Sequence, residues 1–118
     1  MTRPFDPSFI TQKTRKGIGH KAEKKASFRF GAKLRPGSGA TAGAKGDFID
    51  QSFLYESKAT EKASFSIKKA WLDKISKEAR ELNREPVLVV QFVDGDGAVT
   101  RGGSWVMIPE RLFKELIP

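Results

Sequence analysis

Gly46-Asp47-Phe48-Ile49 and Phe53-Leu54-Tyr55-Glu56-Ser57-Lys58 are the two short runs on which the reading of this chain turns. Each is an apolar run, and the polar Asp50-Gln51-Ser52 between them reads as a turn, so together they predict two antiparallel strands. Glu56 and Lys58 are two apart, and in a strand both side chains leave the same face. The hairpin brings Asp47 to that face. Two carboxylates and an ammonium at one point suit a hard divalent cation, Mg²⁺ with Mn²⁺ as a substitute, held through oxygen. Such a cation polarises a phosphodiester and helps activate water, while the lysine orients that water or steadies the developing charge. Taken alone, an Asp followed by Glu-x-Lys is more often a solvated strand surface, because charged residues are common there. The rest of the chain tips the balance.

The chain has 118 residues, which suits one domain with one modest core. Hydrophobic residues make up 38%, with 9 Phe and 2 Trp, enough for a packed interior. There is no Cys, which excludes disulfides, thiol catalysis and Cys-ligated metal. His20 is the sole histidine, so a multi-histidine zinc site is excluded within one chain. The net charge of +8 attracts polyanions, nucleic acid first. No apolar run approaches the ~18–20 residues that span a bilayer, and no hydrophobic leader follows Met1-Thr2-Arg3-Pro4, so the expectation is a cytoplasmic protein with no membrane partner.

Residues 1–16 read as a flexible basic arm, with Pro4 and Pro7 interrupting any helix and Arg15 and Lys16 available to DNA phosphate. Residues 17–118 read as the domain proper. A helix is expected from Gly17 to Phe30, with Ala22, Ala26 and Phe30 on one stripe and Glu23 beside it. A short strand, Ala32 to Arg35, leads into the small-residue loop of residues 36–46, which contains Ser38 and Lys45 and allows close approach of backbone to phosphate. After the hairpin, Ser64 or Ser66 caps a helix from Ile67 to Leu82, its inward stripe comprising Ile67, Ala70, Trp71, Ile75, Ala79 and Leu82. Trp71 reads as core. Pro86 to Val93 is a continuous apolar strand suited to the middle of a sheet covered on both faces. Asp94-Gly95-Asp96-Gly97 is a turn, Ser104 to Ile108 a further strand, and Pro109 opens a last helix. The order predicts an α/β fold, a single domain with a mixed central β-sheet flanked by helices. The strand ending at Lys58 and the strand from Pro86 form its parallel pair, joined by a right-handed crossover.

The order αβββαβ, with Asp47 and then Glu56-x-Lys58 at a strand end, resembles the restriction-endonuclease-like core of the PD-(D/E)xK nuclease superfamily. Gly46 stands where that motif has Pro. The further details resemble the Holliday junction resolvases of archaeal type and their phage-encoded relatives: Gly17 and Glu23 in a first helix, Arg35-x-x-Ser38-Gly39, Asp47, Glu56-x-Lys58, and the strand Pro86 to Phe92. The likeness covers roughly residues 16–110. It implies Glu23, Asp47, Glu56 and the Ser57 carbonyl as metal ligands, Lys58 as the catalytic lysine, Ser38 as a loop serine at the scissile phosphate and Arg35 as a phosphate contact. It also implies a homodimer that nicks four-way DNA junctions in symmetric pairs. Lys45, Lys62, Lys68 and Lys69 add candidate phosphate contacts. Exposed parts of Phe28, Phe30, Phe65 or the final helix are candidates for the dimer surface. The rival readings keep the fold: a nuclease of flaps, forks or duplex DNA, or an inactive DNA-binding module.

Overall fold

The computed structural model describes residues 7–35, 46–64 and 66–118, residues 7–16 by their backbone. The eight elements follow the predicted order: α1 (Pro7–Arg29), β1 (Lys33–Leu34), β2 (Phe48–Ile49), β3 (Phe53–Thr60), α2 (Lys69–Glu81), β4 (Glu85–Val93), β5 (Val99–Met107) and α3 (Glu110–Glu115). β4 is an interior strand, paired with β3 on one side and β5 on the other, and its sequence requires this. Pro86 through Gln91 are all buried, so both faces of the strand need cover. α1 covers one face and α2 the other.

The strands lie side by side in chain order, β1-β2-β3-β4-β5. β3 and β4 are parallel, joined across α2, and the other three pairs are antiparallel. The chain is therefore an α/β domain with a five-stranded mixed sheet flanked by helices. On the α1 face, Ala26 packs with Phe48, Tyr55, Val87 and Val89, while Ile18 and Ala22 pack with Val93 and Ala59. Alanine at these helix positions lets α1 lie close to the sheet, and Phe30, Phe48 and Tyr55 fill its end as a ring cluster, Phe48 and Tyr55 stacked at 4.7 Å. On the α2 face, Leu54, Ile75 and Ala79 form the core with Ile49 and Leu82.

The structure departs from the sequence reading at four places. α1 begins at Pro7, ten residues before the predicted Gly17 start, with residues 1–6 outside the described set. Proline at a helix's first turn lacks only an N–H that would have no partner there, so Pro7 opens the helix where it was read as interrupting it. α2 begins at Lys69, and Lys68 caps it with extended backbone and no side-chain bond. Neither Ser64 nor Ser66 is the N-cap, and Ile67 and Ala70 are exposed. β5 begins at Val99, five residues before the predicted Ser104. Gly102 and Gly103 disguise it, since glycine weakens strands, yet the Thr100 hydroxyl bonds back to the Phe92 carbonyl at 3.0 Å and Val93 pairs with Val99. Finally, Phe30, one of the candidates for the dimer surface, is partly buried against the core on the α1 face. Phe28 is 87% exposed, and Phe65 lies outside the described residues.

Candidate active site

Register makes the site. Phe48 pairs with Tyr55 across β2 and β3, and the Asp47 N–H donates to the Tyr55 carbonyl at 2.8 Å. One step further out, Asp47 stands opposite Glu56. Alternation then sends Asp47, Glu56 and Lys58 to the α2 face and Tyr55 and Ser57 to the α1 face. The three charged residues expected together do share one face, with Lys58 Nζ 3.5 Å from Glu56 Oε2. Asp47 is 8% exposed and its Oδ2 accepts the Ser57 N–H at 2.7 Å. Among the described residues, the carboxylate thus takes the place of a strand partner for β3 beyond the end of β2. A strand residue's N–H and C=O leave on the same side, so the Ser57 carbonyl is directed to that edge as well.

Burial pushes the Glu56 carboxyl above its ordinary value, Asp47 adds to this, and Lys58 and Lys74 offset it only in part. A raised folded-state value means that the protonated form is favoured by folding. The associated stability is present below the unfolded value near 4.5 and is lost as pH rises through the folded one. Glu56→Gln is therefore expected to raise Tm at pH 7 in EDTA and to flatten the decline of Tm above pH 4.5. Melting curves from pH 4 to 8 for both proteins check this, and an unchanged or lower Tm for the variant at pH 7 refutes it. Two adjoining carboxylates with a backbone carbonyl beside them are a donor set that fits a hard divalent cation.

α2 contributes more than core. Trp71, Lys74 and Glu78 lie at i, i+3 and i+7, on one stripe facing the site. Lys58 Nζ stands 4.6 Å from the Trp71 ring centroid, and Lys68 Nζ 5.9 Å from it, as cation–π contacts. Lys74 pairs with Glu78 at 3.4 Å, and Glu78 Oε1 accepts the Gly46 N–H at 3.0 Å. The helix thereby fastens the residue that precedes Asp47. Trp71, expected from the sequence in the core stripe, is only partly buried and stands at the site, joined there by Lys74 and Glu78. The signal was the charged pair recurring on the tryptophan's own stripe.

Behind the carboxylates, on the α1 face, runs a polar relay. Gln91 is fully buried in the otherwise apolar β4. Its Nε2 donates to Ser57 Oγ at 2.7 Å, its Oε1 accepts from Arg29 Nη2 at 3.0 Å, and Arg29 also reaches Ser104 Oγ at 3.3 Å. Gln91→Leu leaves Ser57 and Arg29 without these partners and is expected to cost about 1–3 kcal/mol, read as a lower urea midpoint at constant m.

The remaining candidates are dispersed. Glu23 is half-buried on α1, which covers the opposite face of the sheet. Among the described residues no three His, Cys, Asp or Glu side chains gather into a metal-holding group, so the expected convergence of Glu23 with Asp47 and Glu56 does not occur. The helix that carries Glu23 is committed to the sheet by Ala22 and Ala26, and this sets where Glu23 can point. Arg35 is adjacent, its N–H donating to the Asp47 carbonyl at 2.9 Å. Lys62, Lys68 and Lys69 are exposed, Lys69 in a pair with Asp73 at 2.9 Å. Ser38 and Lys45 lie outside the described residues, as do the side chains of Arg15 and Lys16. Asp50 builds the turn: it accepts from the Ser52 and Phe53 N–H groups and from the Tyr55 hydroxyl at 2.6 Å. Burial would raise its carboxyl, but these bonds and the Arg84 charge outweigh it and hold the carboxyl below its ordinary value.

Among the described residues no helix is long and apolar enough to cross a membrane. No family model, no curated protein and no solved structure matches the chain.

Proposed function

We propose that the chain is a Mg²⁺-dependent endodeoxyribonuclease of PD-(D/E)xK type that cuts branched double-stranded DNA in the cytoplasm, resolving four-way junctions by paired nicks as a homodimer. One arrangement carries this reading. Asp47, Glu56 and Lys58 share the face of the sheet where β2 stops and β3 continues, and the Ser57 N–H holds Asp47 at 2.7 Å. Asp47, Glu56 and the Ser57 carbonyl would hold the cation, whose chemistry there is Lewis-acid polarisation of the phosphodiester. Lys58, kept near Glu56 and over Trp71, donates a hydrogen bond to the attacking water or to a phosphoryl oxygen as charge develops. Hydrolysis joins the water oxygen to phosphorus and breaks the bond to O3′, which leaves with a proton, so the products are a 5′-phosphate and a 3′-hydroxyl. Phosphates are held by cations around this face, among them Arg35, Lys62, Lys68 and Lys74, in a chain of net charge +8. Exposed Phe113, Leu116 and Ile117 at the end of the chain and Phe28 on α1 are the apolar surfaces suited to a two-fold contact.

The test is cleavage of an end-labelled four-way junction beside linear duplex and flap of equal length, in Mg²⁺ and in EDTA. Paired symmetric nicks in the junction, lost in EDTA, support the reading. Cutting of flap or duplex alone keeps the chemistry and overturns the substrate. Junction binding without cutting in Mg²⁺ or Mn²⁺ leaves a DNA-binding module.

A further inference from the structure

Beyond the carboxylates, the same face of the sheet carries an exposed indole. Lys58 pairs with Val90 and Val90 with Trp105, so the three form one row across β3, β4 and β5. With strands about 4.8 Å apart, the Trp105 Cα lies about 10 Å from that of Lys58. Trp105 is 65% exposed. Its Nε1 donates to the Gly102 carbonyl at 2.9 Å, which lays the ring along its own strand and fixes its orientation. At Gly102 a cleft of about 390 Å³ opens, with Lys62, Phe92, Arg101 and Gly103 in its lining and, among the described residues, Glu61 as its one carboxylate. Thr60 pairs with Phe92, so the cleft continues the Lys58 face towards the carboxyl ends of the parallel strands, where open α/β sheets receive ligands.

We propose that Trp105 and the cleft between Lys62 and Arg101 bind an unpaired nucleotide of the DNA, its base stacked on the indole and its phosphate on the two cations. The proposal rests on the reading that the Lys58 face engages DNA. Every base offers a π-face, and a ring already held in place stacks with little loss of side-chain freedom. In an intact duplex the bases are enclosed, so this site selects DNA with unpaired bases within reach of Lys58. A second copy of the chain is the rival occupant, because Val106 and Met107 extend the apolar edge. That contact would bring the Lys62 and Arg101 pairs of two copies together, like charges in an already cationic protein, whereas a phosphate complements them.

The experiment uses fluorescence anisotropy of the full chain in EDTA with labelled single-stranded oligothymidylate and with duplex of equal length. Trp105→Ala is expected to weaken single-strand binding about 5- to 100-fold and to leave duplex binding nearly unchanged. Trp105→Phe should restore most of the affinity and Trp105→Leu should not, since leucine keeps the apolar bulk without the π-face. Single-strand binding unaffected by all three variants overturns the proposal, as does equal rescue by leucine. A wild-type dimer that Trp105→Ala converts to monomer in DNA-free sedimentation also overturns it, in favour of a self-contact. The two readings fail separately. Absence of cleavage in Mg²⁺ with Trp105-dependent binding intact removes the nuclease and keeps this site. Junction cleavage with single-strand binding indifferent to Trp105 does the reverse.

Discussion

Lys58→Ala is expected to slow single-turnover cleavage of a four-way junction by about 10²–10⁴-fold in Mg²⁺, with junction affinity in EDTA nearly unchanged. The separation follows from where the ammonium sits. It is not one more phosphate-binding lysine on the surface. Its Nζ is held between Glu56 Oε2 at 3.5 Å and the Trp71 ring at 4.6 Å, so it is positioned beside the Glu56 carboxylate. Loss of a group that acts on the reacting phosphate lowers the rate, and loss of one phosphate contact among many lowers affinity little. Lys58→Arg keeps the charge but spreads it over a planar fork that cannot occupy the same point, and it should recover only a small part of the rate. Trp71→Ala, which removes the floor beneath the ammonium, should fall between wild type and Lys58→Ala. A Lys58→Ala protein that cuts at the wild-type rate removes the catalytic assignment, whatever DNA it binds.

Gly46→Pro, which would restore the residue usual in the resembled motif, is expected to destabilise the protein by about 4–8 kcal/mol. That is comparable with the lower end of the about 5–15 kcal/mol by which whole domains are stabilised. Three effects combine. Gly46 has φ +64, in the left-handed region, where the pyrrolidine ring cannot go. A Cβ at this position would stand 2.7 Å from the Leu54 side chain and 3.1 Å from the Tyr55 carbonyl. Proline also removes the N–H that bonds Glu78 Oε1, leaving a half-buried carboxylate oxygen without that donor. Gly46→Ala keeps the N–H and should lose less, about 2–4 kcal/mol. Urea unfolding gives both values, and a proline variant with the wild-type midpoint would contradict the left-handed geometry. The glycine is thus part of how the site is built: the chain must turn left-handed into β2 for Asp47 to reach the Ser57 N–H.

Much of the architecture is written in local pattern. The unbroken apolar run of β4 demands cover on both faces, the alanine stripe of α1 demands close packing, and the two short runs around Asp50 demand a hairpin. The two-residue spacing of Glu56 and Lys58 sets them on one face whatever surrounds them. What local pattern does not carry is the identity of partners far apart in the chain. Arg29 and Gln91 are 62 positions apart, and Gln91 and Ser57 are 34 apart, yet they form one relay. Read in sequence, Gln91 is a polar interruption of an apolar strand. Lys74 and Glu78 look like ordinary solvated helix residues until α2 is laid across β3. Gly102 and Gly103 hide the first half of β5 because its strand character comes from pairing with β4 and not from propensity.

By itself, then, the sequence determined the order of elements, the two-faced burial of β4 and the common face of Glu56 and Lys58, because these depend on side-chain periodicity along a single segment. The tertiary structure alone decided that Asp47 is pinned by the Ser57 N–H, that Trp71 and Glu78 support the site, and that Glu23 stands across the sheet from it. Those outcomes depend on register between strands and on which helix covers which face, which only the packing of the whole core can select.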